Sequence, residues 1–137
     1  MGRVAESRRV GAVLAQDSRS YRAPVPTPDD PASEYRRLAV EWDEARNTPE
    51  QANPLFDQLH ACYKALRKSQ VGCRAILSLL ADPVTAVRLS AATHSLGTDP
   101  HRAIAVLEEI AAGPDLHAVT AKWTLRSFRA GTLNLHW

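Results

Sequence analysis

The chain has 137 residues, enough for one domain built around one hydrophobic core. It is 45% hydrophobic and 23% charged, the composition of an ordinary water-soluble domain. Net charge is +2, and the residues from Pro31 onward are close to neutral, which argues against a concentrated nucleic-acid-binding face. The longest apolar run near the start, Val10 to Ala15, is too short for a secretory leader, and no stretch is long enough to span a bilayer. Cys62 and Cys73 lack metal or redox spacing and read as reduced thiols, so the expected compartment is the cytoplasm.

In chain order, residues 1–29 read as a flexible tail. They carry Arg3, Arg8, Arg9, Arg19 and Arg22, then Pro24-Val25-Pro26-Thr27-Pro28, whose alternating prolines favour extended chain. A short helix near Val4 to Ala15 would place Val10, Val13 and Leu14 on one face. Residues 30–137 read as one helical domain. Its breaks are Asp30-Pro31, Thr48-Pro49, Asn53-Pro54, Asp82-Pro83, Asp99-Pro100 and Gly113-Pro114, most of them a capping residue followed by proline.

Between the breaks, apolar residues recur at helical spacing. The first helix is expected over about Pro31 to Arg46, with Tyr35, Leu38, Ala39, Trp42 and Ala45 inward. The second covers about Glu50 to Ser69, with Phe56, Leu59, Tyr63 and Leu66. The third runs from about Cys73 to Ala81 and the fourth from Pro83 to Leu96. The fifth covers Pro100 to Ala112, with Ala103, Leu107, Ile110 and Ala111 inward. The sixth covers Asp115 to Ala130. Only the tail, where Leu133, Leu135 and Trp137 alternate with Asn134 and His136, has a strand-like pattern.

Leu79 to Leu96 reads as a helix end, a tight corner and a returning helix. Asp82 is placed to cap the returning helix, Pro83 to open it, and Arg88 to pair with Asp82 across the corner. This stretch resembles a HEAT-type repeat. Short connections make consecutive helices antiparallel, so the expected fold is all-α, a short HEAT-like α-solenoid of about six antiparallel helices.

Four segments carry a wider resemblance. They are Asn53-Pro54-Leu55-Phe56-Asp57-Gln58-Leu59, Asp82 to Arg88 with Ala91-Ala92-Thr93-His94, Ala105 to Ala111, and Thr124 to Leu133. Together they are similar to a small bacterial family, the domain of unknown function 2019. The resemblance covers about residues 34 to 133 and implies a HEAT-like helical fold without naming an activity.

The candidate partner-binding residues lie on the sixth helix. Lys122, Arg126 and Arg129 form a basic stripe. Ala118, Ala121, Leu125 and Phe128 flank it on one side, and Leu116, Val119 and Trp123 on the other. Two apolar flanks need two partners. One is the preceding helical pair. The other is open between the C-terminal tail, plain core, a homodimer and another protein, since exposed Trp beside Arg is a hot-spot composition. Helix-dipole stabilisation also accounts for Arg126 and Arg129 at a helix end, as it does for Lys64, Arg67 and Lys68. Those three form a second basic cluster with Arg74, suited either to solvent or to an acidic partner.

Glu34, Glu41, Asp43, Glu44, Glu108 and Glu109 read as solvated faces. His60, His94, His101, His117 and His136 lack metal spacing, and neither a phosphate loop nor a nucleophile motif is present. No cofactor, metal or catalytic residue is therefore assigned. The reading favoured is a non-catalytic protein-binding module, with an immunity-type protein that blocks one toxin partner as its narrower form. One alternative is a nucleic-acid-binding repeat, or a DNA-repair glycosylase-like protein, using the basic stripe. Another is an accessory subunit acting on a second protein.

Overall fold

The computed structural model describes residues 22–135. They form six α-helices and one 3-10 turn: α1 (Ala32–Glu44), α2 (Pro49–Leu66), α3 (Gln70–Ser78), the turn Leu79–Ala81, α4 (Thr85–Ser95), α5 (Pro100–Ala111) and α6 (Leu116–Arg129). Among the described residues there is no strand. The expected short helix near Val4 to Ala15 and the last two residues of the alternating tail lie outside the described residues. Leu133 and Leu135 belong to irregular chain after α6 and pack against the core.

Local chemistry sets most boundaries. Pro49 and Pro100 open α2 and α5 at the position where a missing N–H costs nothing. The Asp99 carboxylate accepts the Arg102 N–H at 3.2 Å, and Asp115 accepts the His117 N–H at 3.1 Å. Gly131, at φ 75°, ends the chain's last helix in the left-handed conformation that favours glycine.

Three boundaries differ from the sequence pattern. First, α2 runs through Pro54, as the expected second helix does, so Asn53-Pro54 is not a break. Proline there removes one N–H from the ladder, and the apolar face on either side holds the helix together. Second, α3 begins at Gln70, three residues before Cys73, because Ser69 Oγ accepts the Gly72 N–H at 3.0 Å. This corner needs Gly72, since any Cβ at that position would run into the Leu66 carbonyl. Third, α4 begins at Thr85, not Pro83. Asp82 is extended (φ −63°, ψ 146°), and its Oδ1 accepts the Val84 N–H at 2.9 Å. Its side chain therefore shapes the bend before the helix rather than capping the first turn.

The core draws on every helix. Tyr35 and Leu38 from α1, Leu59 from α2, Leu79 from the turn, Val87 from α4 and Leu107 from α5 are almost fully excluded from solvent. Ala121 and Leu125 of α6 join the same cluster. The helix α4 is the hub, packing on α1, α3, α5 and α6. Its buried face is small: Ala86, Ser90, Ala91 and Ala92 let neighbouring helices approach closely.

Residues 22–28 lie against this body. The Ala23 N–H donates to the Ala81 carbonyl, and Arg22 pairs with Glu109 of α5 at 3.1 Å. Val25 and Pro26 lie beside Arg36, Val40 and Glu44 of α1.

Candidate functional site: a groove between α2 and α6

A cavity of about 600 Å³ opens along one side of the bundle. Its floor is α4, through Ala86, Leu89, Ser90, Thr93 and His94. One wall is α1 and α2, through Trp42, Phe56, Leu59 and His60. The other is α6, through Leu116, His117, Thr120, Trp123 and Thr124. The small residues on α4 create the depth, and aromatic rings on the walls make the lining mostly apolar. A smaller cavity continues past Trp123 to Tyr63, Leu133 and Leu135.

The wall rings form a connected row. Trp42 meets Phe56 at 5.4 Å between centroids, Phe56 lies parallel to His60 at 6.1 Å, and His60 meets Tyr63 at 6.0 Å. Tyr63 stacks on His94 at 3.9 Å, and Tyr35 meets the His94 ring edge-on at 5.7 Å. Such contacts stiffen the wall beyond what area burial supplies.

His94 is held neutral beneath the groove. Burial, followed by the charges of His60 and Arg67, lowers its pKa to about 3. Tyr35 is pushed the opposite way, mainly by its own burial, and so keeps its proton. The Tyr35 hydroxyl and His94 Nδ1 share a hydrogen bond of 2.6 Å between these two neutral groups. His60 is also held below its ordinary value, by burial first and then by Lys64 and Arg67.

The two ends of the groove differ. At one end, His117 Nε2 of α6 lies 2.9 Å from Asp43 Oδ1 of α1, and Asp43 also takes Arg46 at 2.9 Å. At the other end, the Arg67 guanidinium stands 4.9 Å from the centre of the Tyr63 ring. Lys64 is exposed beside Tyr63, one helical turn after His60.

The residues singled out in the sequence separate here. Trp123 is 57% exposed and forms part of the groove wall. Lys122 and Arg126 are exposed on α6 next to it, outside the lining. Arg129 is committed to Glu108 of α5 at 2.8 Å. Arg88 does reach Asp82, but through the backbone: its Nη1 donates to the Asp82 carbonyl at 2.8 Å and its Nη2 to Thr85 Oγ1 at 3.1 Å. The Asp82 carboxylate is held instead by Arg36, at 2.7 and 3.2 Å. Of the basic cluster, Arg67 and Lys64 stand at the groove end, while Arg74 faces Gln70 on α3. Asp43, expected on a solvated face, is a groove residue. Trp42, Phe56, His60, His94 and His117, drawn from four helices, line the same groove. Small residues at Ala86, Ser90 and Thr93, recurring along one face of α4, are the signal that marks the floor.

Among the described residues no cluster of histidine, cysteine and carboxylate side chains is arranged to hold a metal ion, and no helix is long and apolar enough to cross a membrane. Cys62 and Cys73 are free thiols.

No curated protein matches the chain. Among solved structures, it is similar to the crystal structure of the protein RPA1889 from Rhodopseudomonas palustris CGA009. The two are 28% identical with a TM-score of 0.70, over 79% of this chain and 93% of that one. The family model for a domain of unknown function (DUF2019) matches residues 32–129, from the first residue of α1 to the last of α6, and the chain belongs to that family.

Proposed function

We propose that this chain is a non-catalytic protein-binding module whose partner docks along the groove between α2 and α6. The observation that carries this reading is the distribution of exposed apolar surface. Leu116 and Trp123 line the groove, yet Val119 on the same helix lies outside it and is 65% exposed. A small molecule filling the cavity would leave Val119 in water, whereas a protein segment lying over the rim would cover all three. Exposed apolar groups clustered beside a concave surface are a mark of interaction sites.

The same reading takes the six helices as a short HEAT-like array of antiparallel hairpins. Sequential packing of α1 on α2, α2 on α3, α4 on α5 and α5 on α6 supports this. The free thiols fit a reducing, cytoplasmic setting. Its narrower form is an immunity-type protein that holds one toxin in a one-to-one complex.

The test is affinity capture with wild-type chain and with Trp123→Asp, washed at high salt after nuclease treatment. A stoichiometric protein retained by wild type and lost with Trp123→Asp supports docking at the groove. Recovery of the same protein by both moves the surface elsewhere, and recovery of nucleic acid alone overturns the reading.

A further inference from the structure

The charges around the groove are unevenly placed. The Asp43 end is internally compensated, because Asp43 is shared between His117 and Arg46. The Tyr63 end is basic. Arg67 lies over Tyr63, Lys64 stands beside it, and Arg126 is exposed one turn beyond Trp123 on the opposite wall. Among the described residues, Lys64 and Arg126 make no ion pair with a carboxylate. The field of these cations is felt inside the groove: after burial, Lys64 and Arg67 oppose protonation of His60, against the smaller opposing pull of Asp57.

The shape also selects the form of the occupant. The floor and both walls are helices, and no strand edge is present among the described residues to extend as a sheet. From Pro49 to Tyr63 the α2 wall is about 20 Å long at 1.5 Å per residue, room for three to four turns of a partner helix. An amphipathic helix laid in such a groove buries anchors at i, i+3, i+4 and i+7.

Resting on the docking reading above, we infer that the groove takes an acidic amphipathic helix. Its apolar anchors seat on Phe56, Leu116 and Trp123, and its carboxylates lie against Lys64 and Arg126. The charges fix the direction of the helix, because the Tyr63 end presents Lys64 and Arg126, whereas Asp43 at the other end already holds His117 and Arg46. Rim charges of this kind act mainly on specificity and association rate.

The test uses three synthetic helical peptides with the same Leu and Trp face and an outer face of Glu, Gln or Lys, titrated into the full chain labelled with 15N. The Glu peptide is expected to bind about tenfold more tightly than the Gln peptide, and the Lys peptide more weakly still. Shifts should concentrate at α2, α4 and α6, and the charge preference should shrink with added salt. Lys64→Gln combined with Arg126→Gln should bring the Glu and Gln peptides to equal affinity. Equal binding of all three peptides to wild type, weakened in every case by Trp123→Ala, overturns the acidic assignment and leaves docking at the groove in place. No binding of any peptide at millimolar concentration overturns both. Tight binding only to a chain ending at Leu135 overturns the assignment in favour of self-occupancy by the last two residues.

Discussion

Arg36 of α1 grips the carboxylate of Asp82 with two nitrogens, Nε at 2.7 Å and Nη2 at 3.2 Å, across 46 positions of sequence. Asp82 is only 1% exposed, so this guanidinium is what makes its charge tolerable inside the protein. Removing one member of such a pair leaves an uncompensated buried charge. Arg36→Ala is expected to lower unfolding stability by about 3 kcal/mol in urea titrations. Arg37→Ala, which loses only exposed contacts to Glu34 and Glu41, should leave the urea midpoint where it was.

Gly72 is irreplaceable for a different reason. The α2–α3 corner brings the Leu66 carbonyl into the space a Cβ would occupy, and a backbone atom cannot swing aside as a side chain can. Gly72→Ala should destabilise the fold by about 2–3 kcal/mol. Gly97→Ala, whose Cβ would meet Leu135 at an ordinary 3.9 Å, is expected to be close to neutral. Thermal melts of the two variants side by side give the comparison.

Acid should weaken the fold through His94. Its pKa is about 3 in the folded chain, against 6.5 for an unperturbed imidazole. Between those values the unfolded chain binds a proton that the folded chain refuses. The contribution of His94 is thus complete above pH 6.5 and is lost progressively as pH falls toward 3, at up to about 1.4 kcal/mol per pH unit. Urea titrations at pH 7 and pH 4.5 should show this slope, and His94→Phe should flatten it while leaving the smaller part due to His60.

The groove wall and the core should respond in opposite ways to truncation. Leu107 is fully buried, so Leu107→Ala should cost about 2–5 kcal/mol. Trp123 is mostly in water, and Trp123→Ala should change stability by less than about 1 kcal/mol while abolishing partner capture. A Trp123→Ala variant as unstable as Leu107→Ala would make the residue part of the core.

Much of the helical skeleton was legible because its signals are local. Thr48-Pro49, Asp99-Pro100 and Asp115 mark helix starts within one or two residues, and Tyr35, Leu38 and Ala39 declare an inward face by spacing alone. The corner at Asp82 was half legible. Its cap-like chemistry is there, but the carboxylate's partner is Arg36, which no spacing rule within the corner could supply. The second apolar flank of Leu116, Val119 and Trp123 was also visible, since one helix cannot bury two apolar stripes against one neighbour, but spacing alone left open what covers it, and its exposure came only with the fold. The groove itself was not, because it exists only where four helices converge. Asp43 and His117 meet across 74 positions of sequence, and neither belongs to a motif. Arg129 read as part of one stripe with Lys122 and Arg126 until Glu108, from another helix, claimed it.

The hydrogen bond from Ala23 to Ala81 bears on where this protein can be cut. A domain drawn from Asp30, as the proline-rich composition suggests, keeps every helix of the described residues intact. It also strips the Ala81 carbonyl of its donor, removes the Arg22–Glu109 ion pair, and bares the side of α1 that carries Val40 and Arg36. Arg36 is the residue that neutralises Asp82, so a deletion outside all six helices would wet the edge of the buried ion pair. Expression from residue 22 rather than residue 30 is therefore a choice about how well the buried ion pair stays sealed from water, and not only about length.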